Sequence, residues 1–285
     1  MNFRIGCVQF RSQLGDMDYN LAQLAHWCEQ ARAQGACVVI FPEACLTGYC
    51  RPREMAMLAQ PFAGSLRERA AGIARTHEIL LVFGMPEREG GNVYNSLIAL
   101  DAKGNELGRY RKTHLWAAES KWAAPGGQFV SFKTEYAHFG LMLCYDTRFP
   151  EVSRTFALRG IEVALVASAW RSTHVEEWRF CARARALDNG IFLAGSDAIL
   201  EAEHFTCAGG SLIVGPDGRV MALANYGEEG MITAEIDTER IAERRKDLPL
   251  LQQRRPELYG SLVASGSQAL TDSQALTDSQ ALTDS

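Results

Sequence analysis

The chain has 285 residues, 47% hydrophobic and 22% charged, with a formal net charge of −5. That length suits one large α/β domain or two smaller ones, and the composition is that of a globular protein. The acidic excess, with Lys and Arg scattered, argues against a nucleic-acid partner, and no apolar run approaches the ~20 residues that span a bilayer.

In chain order, residues 3–10 are predicted as a strand. Apolar residues at helical spacing predict a helix over 21–34, stopped before Gly35, which suits a C-cap. The continuous apolar run 37–41 marks a strand buried on both faces. Residues 66–76 read as a helix and 79–83 as a second buried strand. Strands over 93–100 and 106–110 flank Asp101-Ala102-Lys103-Gly104-Asn105, a hairpin signal. The second half repeats the pattern: strand 139–143, then helix 150–158 with Pro150 at its first position. Strand 163–168, helix 175–188 and strand 191–196 follow. Strands 211–214 and 219–223 pair across Pro216-Asp217-Gly218, and a strand over 231–236 precedes a short helix at 239–245. Mixed alternation and hairpins exclude a pure βα barrel and predict sheets covered by helices.

No linker rich in Pro, Gly or Ser interrupts residues 1–260, which are expected to form one domain. From Ser267 the hexad Ser-Gln-Ala-Leu-Thr-Asp occurs three times and fits neither a helical nor a strand face. Residues 261–285 are therefore expected to be a disordered or artefactual tail. Met1-Asn2-Phe3-Arg4 runs straight into a strand with no signal-peptide layout, so a cytoplasmic protein with reduced thiols is expected.

Eight cysteines, Cys7, Cys28, Cys37, Cys45, Cys50, Cys144, Cys181 and Cys207, form no C-x-x-C pair and no cluster of zinc spacing. For each, including Cys45 and Cys50 near Glu43, the default is a small buried hydrophobe. Six histidines are scattered, and no metal or cofactor is expected.

Three reactive side chains follow apolar strands. Glu43 ends Val38-Val39-Ile40-Phe41-Pro42-Glu43, at the carboxyl end of a strand where α/β sheets place their sites. Lys112 follows the alternating strand before Tyr110-Arg111-Lys112-Thr113-His114-Leu115. Cys144 ends the apolar strand in Leu141-Met142-Leu143-Cys144-Tyr145-Asp146, and a helix starts at Phe149-Pro150-Glu151. This strand–turn–helix setting is like a nucleophile elbow without its glycines. Taken singly, each has a bland reading: a solvated Glu, a surface Lys, an inert Cys.

Together and in this order, with Cys-Tyr-Asp-x-Arg-Phe-Pro-Glu, Tyr94-Asn95-Ser96, Ala182-Arg183-Ala184-Arg185-Ala186 and Gly215-Pro216-Asp217-Gly218, they resemble the nitrilase, or carbon–nitrogen hydrolase, superfamily, from about Phe3 to Tyr259. The resemblance implies a four-layer α-β-β-α sandwich that pairs into an eight-layer homodimer, with a Glu43–Lys112–Cys144 triad. It also matches a second glutamate to Glu119 in Trp116-Ala117-Ala118-Glu119. Cys144-Tyr145-Asp146 is similar to the amidase-type branches, since nitrile-cleaving members commonly carry Trp-Glu after the cysteine.

The chemistry expected of these groups is amide hydrolysis through a cysteine thioester. Cys144 is the nucleophile, Glu43 the proton shuttle, and Lys112 with the Tyr145 backbone N–H the oxyanion donors. Glu119 orients substrate or Lys112. The expected substrate is a small linear amide. Tyr49, Trp116, Trp170 and Arg171 are the pocket candidates, and Arg171 suits a substrate carboxylate. Alternatives with the same triad are a nitrilase, an N-carbamoyl hydrolase and an amide acyltransferase. Outside enzymes, the alternative is a catalytically silent binding partner. A Cys144–His114 dyad competes but lacks an evident Asn or Asp to orient the imidazole. A thiol-redox role lacks a resolving cysteine near Cys144 in sequence.

Overall fold

The computed structural model describes residues 1–61, 63–202 and 205–263. The chain divides into two compact units, Met1–Leu248 and Pro249–Ser285. In the second, Pro256–Leu258 and Gly260–Leu262 are single 3₁₀ turns. The hexad repeats lie outside the described residues.

The first unit contains β1 (Asn2–Gln9), α1 (Met17–Ala33), β2 (Val38–Ile40), α2 (Pro52–Leu58), α3 (Ser65–Thr76), β3 (Leu80–Glu89), β4 (Asn92–Leu100), β5 (Glu106–Arg111) and β6 (Ser131–Lys133). The chain continues through β7 (His138–Leu143), α4 (Pro150–Leu158), β8 (Val163–Ser168), α5 (Val175–Asn189), β9 (Phe192–Asp197), β10 (Ile199–Ala202) and β11 (Phe205–Ala208). It ends with β12 (Leu212–Val214), β13 (Val220–Leu223), β14 (Gly230–Asp237) and α6 (Glu239–Asp247). One six-stranded sheet runs β14-β1-β2-β3-β4-β5 and the other β13-β12-β9-β8-β7-β6, while β10 and β11 make a separate hairpin. At the heart of each sheet are three parallel strands, β1-β2-β3 and β7-β8-β9.

The layers follow from a period of two along the strands. Ile5, Cys7, Val38, Ile40, Leu80 and Val82 point between the sheets, where they meet Phe139, Leu141, Leu143, Val163 and Leu165. Their neighbours Val8, Val39, Phe41, Leu81 and Phe83 point the other way, against Leu21, Leu24 and Cys28 of α1 and Ala70 and Ala74 of α3. On the far side, Phe156 of α4 lies over Gly140, and Trp178 of α5 sits so close to Gly195 that a Cβ there would come within 2.7 Å of its ring. The architecture is thus the expected four-layer α-β-β-α sandwich.

Several elements depart from the sequence reading. The first helix begins at Met17, ahead of the expected 21, because the Asp16 carboxylate accepts from the Tyr19 N–H and caps it. β3 runs on to Glu89 because β4 pairs with it along its whole length. The short α2, β6 and the β10–β11 hairpin were not foreseen.

Candidate active site

Glu43 stands three residues past β2, Lys112 directly after β5, and Cys144 directly after β7. Strand ends from both sheets therefore bring together side chains far apart in sequence. Three of the four non-glycine residues with positive φ among the described residues flank this spot: Ala44 at 51°, Ala117 at 41° and Cys144 itself at 42°. Such backbone costs of order 1–3 kcal/mol per residue and persists only where the surroundings over-determine it. At Cys144 it turns the chain sharply from β7 into the 3₁₀ turn Cys144–Arg148.

The turn is tied to the lysine segment by Asp146, which is fully buried. Its Oδ2 accepts from Tyr110 Oη at 2.7 Å and from the Leu143 N–H at 3.1 Å. Its Oδ1 accepts from Thr113 Oγ1 at 3.0 Å and from the His114 N–H at 3.1 Å. His114 Nδ1 also lies 2.8 Å from Oδ1, and its ring stacks on Phe149 with centroids 3.8 Å apart. An aspartate does orient the imidazole, contrary to expectation, yet His114 is absent from the cavity that Cys144 lines, so no Cys144–His114 dyad is assembled.

Lys112 is one ammonium between two carboxylates, and all three groups are buried. Its Nζ lies 2.8 Å from Glu43 Oε1 and 2.9 and 2.7 Å from Glu119 Oε1 and Oε2. Asn95 Nδ2 donates to Glu43 Oε1 at 2.7 Å and to Glu119 Oε1 at 2.9 Å, holding the like charges in place. Glu43 Oε2 takes the Ala169 N–H at 2.9 Å, and Glu119 takes Tyr49 Oη at 3.1 Å and the Trp116 N–H at 2.6 Å.

This packing sets the protonation of the cluster. Burial raises the Glu43 carboxyl above the usual range, Lys112 opposes the rise, and Glu119 adds to it. Burial works against the Lys112 ammonium, but Glu119 and then Glu43 outweigh it and hold it charged well above the ordinary lysine range. The Cys144 thiol is pushed far up by burial and by Glu43, against the pull of Lys112.

A cavity opens over this cluster, and its walls include Glu43, Lys112, Cys144 and Tyr145. Tyr49, Trp116, Trp170 and Arg171, the four pocket candidates, line it as well, and Glu119 lies just behind through Lys112 and Tyr49. The Arg171 guanidinium rests over the Trp116 ring at 4.5 Å and the Phe205 ring at 5.2 Å. Sequence reasoning missed Arg148, His174 and Phe205, which also border the cavity. Asn95 was visible only as part of Tyr94-Asn95-Ser96, and its period-two place in β4 gave no hint of two carboxylates. Among the described residues no group of three or more His, Cys, Asp or Glu could hold a metal ion, and no helix is long and apolar enough to cross a membrane. His204 lies outside the described residues.

Fold and site define a hydrolase of carbon–nitrogen bonds. Residues 4–246 match the carbon-nitrogen hydrolase family model, and the chain belongs to that family, within the nitrilase superfamily. It is 30% identical over 270 residues to an omega-amidase of Homo sapiens, covering 90% of this chain and 97% of that protein. It is 31% identical over 264 residues to an (R)-stereoselective amidase of Pseudomonas sp., covering 90% of this chain and 93% of that protein. The amidase of Nesterenkonia sp. superposes with a TM-score of 0.82 at 28% identity, over 92% of this chain and 96% of that one. Another structure of that amidase, with a glutamate changed to glutamine, shows the result of Michael addition of acrylamide at its active-site cysteine.

Proposed function

We propose that this protein hydrolyses a small linear amide to carboxylate and ammonia through a thioester on Cys144. The observation that carries the reading is one buried cluster that brings a thiol, an ammonium and a carboxylate to the wall of one cavity.

Charge dictates how the thiol is activated. Lys112 sits between Glu43 and Glu119, so the cluster already carries one surplus negative charge. Releasing the thiol proton to water would add a second in a buried site, at high cost. Passing that proton to Glu43 leaves the total unchanged, and a carboxyl with a raised pKa is matched to the task. Sulfur then attacks the amide carbon, Lys112 and the Tyr145 N–H stabilise the oxyanion, and Glu43 returns the proton to the departing ammonia. Water, deprotonated by the same carboxylate, cleaves the thioester. Asn95 and Glu119 hold Lys112 and Glu43 in register.

Arg171 at the cavity wall supplies a cation for a substrate carboxylate, which fits an ω-amide; the human relative is an omega-amidase. The homodimer that the family resemblance implies is proposed to form through the helical layer, where Leu158, Phe180 and Leu187 are exposed on α4 and α5; sedimentation equilibrium tests it, and a monomer at micromolar concentration removes it. For the reaction, ammonia release is measured over short amides, the matching nitriles and N-carbamoyl compounds. Amides are expected to turn over fastest, while Cys144→Ala and Glu43→Gln stay folded and inactive. A nitrile or carbamoyl compound cleaved faster than every amide, or a Cys144→Ala enzyme with near-wild-type rates, overturns the reading.

A further inference from the structure

Two buried polar atoms behind the cysteine make no hydrogen bond of ordinary geometry among the described residues: Ser168 Oγ and Asp197 Oδ2. Both residues are fully buried, and they face each other as register partners at the carboxyl ends of the parallel strands β8 and β9. The rest of their hydrogen bonding is complete. Asp197 Oδ1 accepts the Trp170 N–H at 2.7 Å, and the Ser168 carbonyl accepts from the Glu43 N–H at 3.3 Å and the Ala198 N–H at 3.0 Å. The Ser168 hydroxyl stands beside both the Asp197 carboxyl and the Cys144 sulfur. A buried carboxylate oxygen and a buried hydroxyl left unpaired side by side is a costly arrangement. One proton on Oδ2 removes the problem, because it gives the hydroxyl a donor and frees the hydroxyl hydrogen for sulfur.

We propose that Ser168 and Asp197 form a buried hydrogen-bond relay to the nucleophile: neutral Asp197 donates from Oδ2 to Ser168 Oγ, and the Ser168 hydroxyl donates to the Cys144 sulfur. The proposal rests on Cys144 being the nucleophile. No covalent bond changes in the relay. The thiol proton still goes to Glu43, Asp197 keeps its own, and Ser168 stabilises sulfur whenever it carries negative charge, on attack and again as the leaving group of the thioester. Ser168 touches the reacting atom, and Asp197 is a positioning residue behind it. An ionised Asp197 would instead draw the Ser168 hydrogen away from sulfur and add a further charge near Glu43. Burial, opposed by the Trp170 N–H and Ser168 and reinforced by Glu43, holds the Asp197 carboxyl well above the usual range. Near the sulfur stand Glu43, Lys112 and Glu119, with Tyr49 and Cys207 also within range, and Arg148, Arg171 and His174 line the same cavity; Glu43 and Cys207 are near Asp197 as well.

The test is the rate of iodoacetamide labelling at Cys144, read by mass spectrometry from neutral to alkaline pH, in wild type, Ser168→Ala, Asp197→Asn and Asp197→Ala. Ser168→Ala is expected to label about tenfold more slowly at each pH below the midpoint and to shift the midpoint up by about one pH unit, the effect of losing one hydrogen bond to a charged atom. Asp197→Asn places an N–H where the proton was, so its curve is expected to follow wild type, whereas Asp197→Ala moves toward Ser168→Ala. A merely structural role would lower the rates without separating Asn from Ala or moving the midpoint. Superimposed curves for Ser168→Ala and wild type overturn the relay, as does an Asp197→Asn curve displaced as far as Ser168→Ala. If Asp197→Ala does not fold, the other two variants still decide. Failure of the underlying reading looks different: in wild type, Cys144 would then label no faster than the partly exposed Cys50 and Cys181.

Discussion

Glu119→Gln removes one charge of the cluster at nearly constant shape; its single amide oxygen can keep the Oε1 contacts to Tyr49 Oη and Lys112, while the Trp116 N–H loses its acceptor. Glu43 Oε1 and Glu119 Oε1 take hydrogens from the same Lys112 Nζ, at 2.8 and 2.9 Å. Two acceptors at a tetrahedral angle about one nitrogen stand about 4.7 Å apart, and like charges at that distance repel by about 3.5 kcal/mol at an effective dielectric of 20. Loss of that repulsion, and the closer approach of Lys112 to Glu43 that it allows, both favour the ionised Glu43 carboxylate. The sign follows from the direction of the shift. Glu119 raises the Glu43 carboxyl, so its removal lowers it, and the ionised base persists to more acid pH. The acid limb of kcat/KM for ammonia release is therefore expected to move to lower pH, while the plateau falls about tenfold because the base is weaker. An acid limb that stays in place, or moves to higher pH, would refute the proposed coupling between the carboxylates.

Three further outcomes follow from the same geometry. Lys112→Met leaves two buried carboxylates without a cation and is expected to cost about 3–5 kcal/mol of stability; Lys112 opposes the burial that raises the Glu43 carboxyl, so in its absence Glu43 rises further and its contribution to stability is lost as pH rises toward its folded value, and a melting temperature that instead climbs between about pH 5 and pH 8 contradicts this. Gly84→Ala sets a Cβ 2.5 Å from the Ala44 nitrogen and 2.9 Å from Glu43 Cα, both backbone, so the Glu43 segment must shift; kcat is expected to fall more than tenfold with about 1–3 kcal/mol lost, and an unchanged kcat at normal stability counts against it. Arg171→Ala is expected to raise KM about tenfold for a carboxylate-bearing amide and leave a neutral amide of equal length unaffected; equal changes for both would remove Arg171 as the anchor.

The sequence by itself determined what local periodicity can carry. The continuous apolar runs 37–41 and 79–83 predicted strands buried on both faces, and the structure places their alternate side chains in the two cores on either side of the sheet. Apolar runs ending in Glu43, Lys112 and Cys144 also placed reactive groups at strand ends. Elements whose pattern is weak escaped notice: α2 is seven residues with only Met55 buried, and β10 leaves Glu201 and Ala202 exposed. The partners escaped for a different reason. Glu43 meets Lys112 across 69 residues and the Ala169 N–H across 126, and Asn95 joins two carboxylates from a strand whose own pattern is plain. Neither β-pairing nor the stacking of one sheet on another is written in the spacing of residues along a strand. Which strand ends converge, and which buried atoms they leave facing one another, was decided only when two six-stranded sheets closed over a common core.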